Sequence, residues 1–252
     1  MPGRVRAFMG LLAMVSLVLM RYSSVGSQPA GATLLKAQSG GPATAGGIIE
    51  GRITFEGPKI RGPSIIENVT DPEFCGIRHS LEDVLISATS RGIRDVVVAV
   101  ALPEGMAPVR SQGQKLLLDN RNCRFQPHVA VLTTGSVIEA VNSDRVFHTT
   151  HLYYGPLSKN LALNPGGRAS QPANRPGFVI VKCDIHGWMR AFIRVDNHPF
   201  HAVTDAEGKF RISGIQEGSY MLEVWHEQFG EQTVPAVVTR GKTTTLSIQY
   251  RK

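Results

Sequence analysis

The chain has 252 residues, with 27 basic and 20 acidic side chains, a formal charge of +7, and only 19% of its positions charged. That length holds one large or two small domains, and 42% apolar residues are enough to bury a core. The low charge density excludes a disordered chain, and the lack of long A/E/K/L/R-rich periodic stretches excludes a coiled coil or helical repeat.

Arg4 and Arg6 precede an uncharged run over 7–20, and small residues follow at Val25, Gly26 and Ser27. The run is short for a bilayer span and suits the apolar part of an export signal, so residues 1–27 are expected to be a signal peptide. The alternative is an uncleaved membrane anchor; either way the remainder is expected outside the cytoplasm, periplasmic or secreted. Loss of Arg4, Arg6 and Arg21 lowers the charge from +7 to +4. With no Lys/Arg cluster, that argues against a nucleic-acid partner. Residues 28–47, rich in Gly, Ala, Ser, Thr and Gln, read as a flexible tether.

Beyond the tether, short β-branched or alternating runs recur between turn signals: 48–55, 84–88, 96–102, 115–118, 129–132, 137–142, 148–153, 178–182 and 191–195. They continue at 209–212, 220–225, 233–238 and 243–250. No sustained 3.6-residue pattern competes with them, so the fold class is all-β, built of sandwiches or barrels. A seam at Asn197-His198-Pro199 divides a first domain, 48–196, from a second, 197–252. In the second, Thr204-Asp205 followed by Gly208, Phe210 and Ile212, and then Gly218, Tyr220 and Leu222, resembles the carboxypeptidase-regulatory, transthyretin-like β-sandwich module. The resemblance implies a structural or interaction unit without catalysis.

Cys75, Cys123 and Cys183 make an odd number for an exported chain. Cys75 lies in a turn-like stretch and Cys123 in a polar loop, whereas His186 and Met189 closely follow Cys183. A Cys75–Cys123 disulfide with Cys183 left as a ligand is one reading; three free, buried thiols is the other.

Cys183, His186 and Met189 form a C-x2-H-x2-M loop that can fold a thiolate, an imidazole and a thioether onto one ion. Upstream, Asn142 leads through Asp144 to His148 and His151, which can supply a second imidazole. Two His, one Cys and a weak axial Met are the trigonal blue-copper set, the soft sulfurs selecting copper.

Residues 125–195 resemble the cupredoxins, most closely the amicyanin-like group with its short ligand loop. The resemblance implies a Greek-key sandwich with copper, Cu(I)/Cu(II), held by His148, Cys183, His186 and Met189. Gly177 matches the glycine that opens the family's last ligand strand. The spacing from Asn142 favours His148 over His151, and residues three apart on a strand face opposite ways, so one of the two reaches the metal. Two positions depart from the family: Thr149 stands where an asparagine commonly ties the ligand loops together, and Val179 and Val181 stand where aromatics are common.

The function expected from this resemblance is that of an exported type 1 copper protein carrying one electron, with the His186 edge at the surface, flanked by Trp188, as the electron port. Copper storage or delivery and a scaffold with a vestigial site are the alternatives. Enzymatic activity is not expected, because no general base or paired carboxylate is evident and four ligands leave no open position. Residues 128–197 carry seven basic and four acidic side chains, from which a redox partner with an acidic docking surface is expected. His79, His128, His198, His201 and His226 belong to no constellation in the sequence, and Asn68-Val69-Thr70 is formally a glycosylation acceptor.

Overall fold

The computed structural model describes residues 46–58, 64–81, 84–103 and 112–251. The expected signal and all but the end of the tether lie outside the described residues. No helix among them is long and apolar enough to cross a membrane. The described residues form a pair of β-sandwiches with a small cap, and among them only a four-residue helix, Pro72–Cys75, interrupts the strands.

The first sandwich faces a five-stranded sheet against a four-stranded one. The five-stranded sheet runs Leu157–Leu163, His148–Tyr154, Gly177–Lys182, Arg190–Asp196, Val129–Thr133. The four-stranded sheet runs Arg168–Ala173, Ser136–Asn142, Lys115–Arg121, Arg124–Gln126. Alternation along the strands puts Leu118 and Ile138 of one sheet and Val179, Val181 and Ile193 of the other into one buried cluster. Val179 and Val181 therefore fill the core at the positions where aromatics were the alternative. Gly177 opens its strand at φ 145°, in a region L side chains avoid, and a Cβ there would meet the Tyr154 ring at 3.0 Å.

The second sandwich is not confined to the residues after Asn197. Its three-stranded sheet, Lys209–Ile215, Gly47–Glu56, Thr243–Arg251, has the first described strand at its centre. Its four-stranded sheet, His201–Val203, Val97–Ala101, Gly218–His226, Gly230–Val238, takes Val97–Ala101 between two C-terminal strands. This corrects the expected assignment of 48–56 and 97–101 to the first domain. The physical reason is burial: Ile49, Ile53, Phe55, Val98 and Val100 join Phe210, Leu222, Val224 and Ile248 in a single core, which the C-terminal strands cannot close alone. Gly47, expected as the last tether residue, already belongs to a strand. The run at 84–88 forms no strand and contributes one isolated bridge, Ile86 to Ile93.

A third unit lies on the first sandwich. Ser64–Glu67 and Arg78–Leu81 pair antiparallel around the short helix. Ile66, Cys75 and Leu81 of this cap pack on the first core, and Cys75 is joined to Cys123 by a disulfide, as one sequence reading had it. Asn68 ties the loop together: its amide donates to the Thr70 and Gly76 carbonyls, both at 2.8 Å, and its oxygen accepts from the Thr70 N–H at 2.7 Å. With that side chain committed and 5% exposed, Asn68 is not presented as a glycosylation acceptor.

Candidate metal centre

Two loops at one end of the first sandwich build the site. The first leaves Ser136–Asn142, where the Asn142 amide donates to the Val146 and Leu163 carbonyls and its oxygen accepts from the Asp144 N–H. That side chain shapes the turn and delivers His148 to the start of the next strand, fully buried. The second loop leaves Gly177–Lys182 and closes on itself: the Cys183 N–H donates to the Met189 carbonyl at 3.2 Å and the Met189 N–H to the His186 carbonyl at 2.8 Å. A seven-residue loop pinned at both ends turns Cys183 and His186 toward the same point.

There Cys183 Sγ stands 3.9 Å from His148 Nδ1 and 3.6 Å from His186 Nδ1, and the two Nδ1 atoms are 3.0 Å apart. An ion bonded to nitrogen at about 2.0 Å and to sulfur at about 2.3 Å fits inside a triangle with edges of about 3 to 4 Å. His148 and His186 are 0% exposed and Cys183 3%, so water is excluded. Cys183 is the free cysteine. Burial alone would raise its thiol, but its contacts with the His148 and His186 imidazoles and the Thr149 N–H outweigh it and bring the pKa down to about 5.

The outer nitrogens decide what the inner ones can do. His148 Nε2 lies 3.0 Å from Asp144 Oδ2, and His186 Nε2 lies 3.1 Å from Asp71 Oδ2. Each carboxylate accepts the imidazole N–H, which leaves each Nδ1 as a lone-pair acceptor. Two such lone pairs face each other beside a thiolate, an arrangement that is repulsive until a cation, a proton or a metal ion, lies among them. Burial pushes the His186 imidazole down, yet the Cys183 thiolate and the Asp71 carboxylate outweigh it and raise its pKa above the ordinary range. The donor set therefore fits a soft, thiolate-seeking ion. Met189 is 1% exposed and closes the loop through its backbone.

Residues 189–251 match the family model of the carboxypeptidase regulatory-like domain. The match begins within the first sandwich, at the strand Arg190–Asp196, and extends over the second. No curated protein matches the sequence. Among solved structures, a copper-containing nitrite reductase from Thermus scotoductus SA-01 is 24% identical with a TM-score of 0.31, over 38% of this chain and 25% of that one. A Cu(I) amicyanin mutant is 15% identical with a TM-score of 0.30, over 39% of this chain and 98% of that one. A purple cupredoxin from Nitrosopumilus maritimus is 18% identical with a TM-score of 0.29, over 32% and 98%. This chain thus spans a quarter of the nitrite reductase, and the chemistry of the site rests on its own geometry.

His151 stands apart from the triangle. Its Nδ1 meets the Asp184 carboxylate at 3.0 Å and the Tyr153 hydroxyl at 3.0 Å, and its ring stacks on Tyr153. Thr149 ties the ligand loops despite its short side chain: its hydroxyl accepts from the Asp184 N–H at 2.8 Å and lies 3.7 Å from Cys183 Sγ, to which its own N–H also points.

The expected electron port is not at the surface. Besides Asp71, His186 Nε2 meets Cys75 Sγ at 3.7 Å. Trp188 is 7% exposed, donates to the Cys123 carbonyl at 2.9 Å and stacks on His79 with ring centroids 3.8 Å apart. The cap supplies Asp71, Cys75 and His79 to these contacts, and nothing in the ligand motifs pointed to it. Asp71, His79 and Asp144 were missed as partners because they are ordinary polar residues in sequence. Only the placement of Asp144 between Asn142 and His148 could have drawn notice.

His128 and His226 have structural partners. His128 Nε2 meets Glu227, which Arg190 also reaches at 3.2 Å, and the Trp225 ring packs at a tilt against Phe178 and Phe192, so both contacts join the sandwiches. The His226 ring lies beside Phe229. His201 meets Asp196 at 2.8 Å, and His198 stacks on Phe200.

Proposed function

We propose that the protein is a type 1 copper protein that carries single electrons outside the cytoplasm, with His148, Cys183 and His186 as equatorial ligands and Met189 as the weak axial one. The observation that carries this reading is the buried triangle of two Nδ1 atoms and one depressed thiol. Copper would supply a one-electron Cu(I)/Cu(II) couple.

The residues of the chain do the rest. Asp144 and Asp71 fix both imidazoles in the tautomer that directs Nδ1 inward. Thr149 holds Cys183 and the start of its loop at a constant distance from the His148 strand. Rigid ligands mean little reorganisation when charge changes, which is what an electron carrier needs and an enzyme with an exchangeable coordination site does not. Complete burial of both imidazoles also favours a carrier over a delivery protein, which must release its ion by ligand exchange.

The test is copper titration of the metal-free protein followed by visible absorption and paramagnetic resonance. One equivalent should produce an intense thiolate-to-copper band and a narrow hyperfine splitting, and both should survive repeated reduction and reoxidation without metal loss. A site that binds no copper, or loses it on each cycle, would refute the carrier reading.

A further inference from the structure

Electron tunnelling falls steeply with distance, so a partner must approach a ligand edge closely. His186 is 0% exposed, and its outer nitrogen faces Asp71 and Cys75. The outer nitrogen of this imidazole is therefore covered by the cap, residues 64–81, while Ile185 and Gly187 of the ligand loop are exposed beside it.

The cap has the makeup of a docking face. Four of the eleven large apolar side chains exposed among the described residues lie on it: Ile65, Val69, Phe74 and Ile77, with Val69 92% and Ile77 67% exposed. Their neighbours Ile66 and Cys75 point the other way, into the first core. The outward residues are held rigidly by the disulfide, the Asn68 bonds, the His79–Trp188 stack and an Arg124 hydrogen bond to the Ser80 carbonyl. Its charges are Glu67, Asp71 and Glu73 against Arg78, and Arg78 is paired with Glu67. The Asp71 side chain is 40% exposed, so one hydrogen bond separates His186 from solvent.

Resting on the carrier reading, we propose that the cap is the docking surface for a redox protein whose own face is apolar and rimmed by basic residues, with Asp71 and Cys75 standing between that partner and His186. An exposed apolar patch beside a buried redox centre is the feature that short-lived, small-area encounters use, and the acidic side chains set its charge preference. The sign is opposite to the one expected from the basic excess over 128–197, because a different segment covers the port.

The experiment uses the copper-loaded full chain, with cytochrome c as a basic, apolar-faced probe and hexacyanoferrate as a small reagent. Val69→Asp and Ile77→Asp alter the cap, and Val237→Asp, at a 63% exposed site on the second sandwich, is the control. The cap variants should react about tenfold more slowly with cytochrome c and within about twofold of the wild type with hexacyanoferrate. Glu73→Lys should slow cytochrome c and flatten the dependence of its rate on salt. The proposal is overturned if the cap variants match the wild type while Val237→Asp is slow, or if sedimentation shows a dimer that the cap variants dissociate, which would make the occupant a second copy. Protein with no thiolate-to-copper band before any rate is measured would remove the carrier reading, and this proposal with it, whereas a normal band with unaltered rates removes the proposal alone.

Discussion

Both sandwiches bury histidines, and their surroundings decide what those rings can do. In the first, His148 and His186 have their outer nitrogens on carboxylates and their inner nitrogens facing each other beside a thiol. In the second, His226 is 2% exposed, lies against Phe229 and Tyr250, and accepts a hydrogen bond from the Gln228 N–H at 3.1 Å. One pair of rings is oriented to hold a cation, and the other ring is kept neutral as a core residue. Two β-sandwiches of one chain thus differ in chemistry because two loops at one end of the first converge, not because the folds differ.

The sharpest way to break that comparison is Cys183→Ser. It should abolish copper-induced colour and the copper-dependent rise in melting temperature of the first sandwich, and leave the unfolding of the second unchanged. Of the two tryptophans, Trp188 reports on the first sandwich by fluorescence in a Trp225→Phe background, and Trp225, packed on Phe178 and Phe192, reports on the seam between the sandwiches in a Trp188→Phe background. Retention of the band in Cys183→Ser would mean that another group is the principal ligand.

Removing the cap's covalent anchor comes next. Cys75 and Cys123 are 48 residues apart, and a cross-link closing a loop of that size stabilises by about 4 kcal/mol in the chain-entropy account. Cys75→Ser with Cys123→Ser should therefore destabilise the first sandwich by about 4 kcal/mol in urea denaturation followed at Trp188. An unchanged midpoint at Trp188 would mean that the cross-link adds nothing to the first sandwich.

His226 sharpens the contrast from the other side. Burial, helped by His128, lowers its pKa to about 4 from an ordinary 6.5. Above pH 6.5 the ring is neutral in both folded and unfolded chains and costs nothing. As the pH falls from 6.5 toward 4, the unfolded chain takes up a proton that the folded one refuses, so stability declines, by about 3 kcal/mol once below pH 4. His226→Gln should flatten that decline at the Trp225 probe, as read from urea midpoints between pH 4 and pH 7. An unchanged slope would place the acid sensitivity elsewhere.

These residues also show what a sequence displays and what it hides. The ligand loop was legible because its chemistry is local: Cys183, His186 and Met189 lie within one turn after a strand. Strands with strong alternation were legible too, whereas Leu157–Leu163 and Arg168–Ala173 were not. Both are polar edge strands, and Pro172 on the second is tolerated because an edge position need not supply every ladder bond. The crossing of Gly47–Glu56 into the second sandwich was hidden because partner choice between distant strands leaves no mark on either strand alone. The cap over His186 was hidden for the same reason, since Asp71 and His186 are 115 residues apart. The disulfide was the one long-range clue, and it shows which face the cap covers.

A smaller effect separates the supporting groups from the ligands. Asp144→Asn keeps an oxygen near His148 Nε2 and removes the charge, so copper affinity should fall by about 10- to 100-fold while the colour persists. Competition with a chromogenic chelator measures this, and an unchanged affinity would deny Asp144 its orienting role.

The smallest effect belongs to His151, the ring that competed with His148 for the ligand role. Its contacts are Asp184 and Tyr153 at a partly exposed site, where ion pairs contribute little. Asp184 is nevertheless the residue after Cys183, so losing His151 might be thought to loosen the ligand loop. Two other contacts hold it: the Asp184 N–H donates to Thr149 Oγ1 at 2.8 Å, and the Asn160 amide donates to the Asp184 carboxylate at 2.6 Å. His151→Ala should therefore leave band position and copper affinity within about twofold of the wild type and cost under about 1 kcal/mol of stability. If His151→Ala bleached the protein and His148→Ala did not, the metal would have to lie on the outer face of the strand, where the Cys183 thiol does not point.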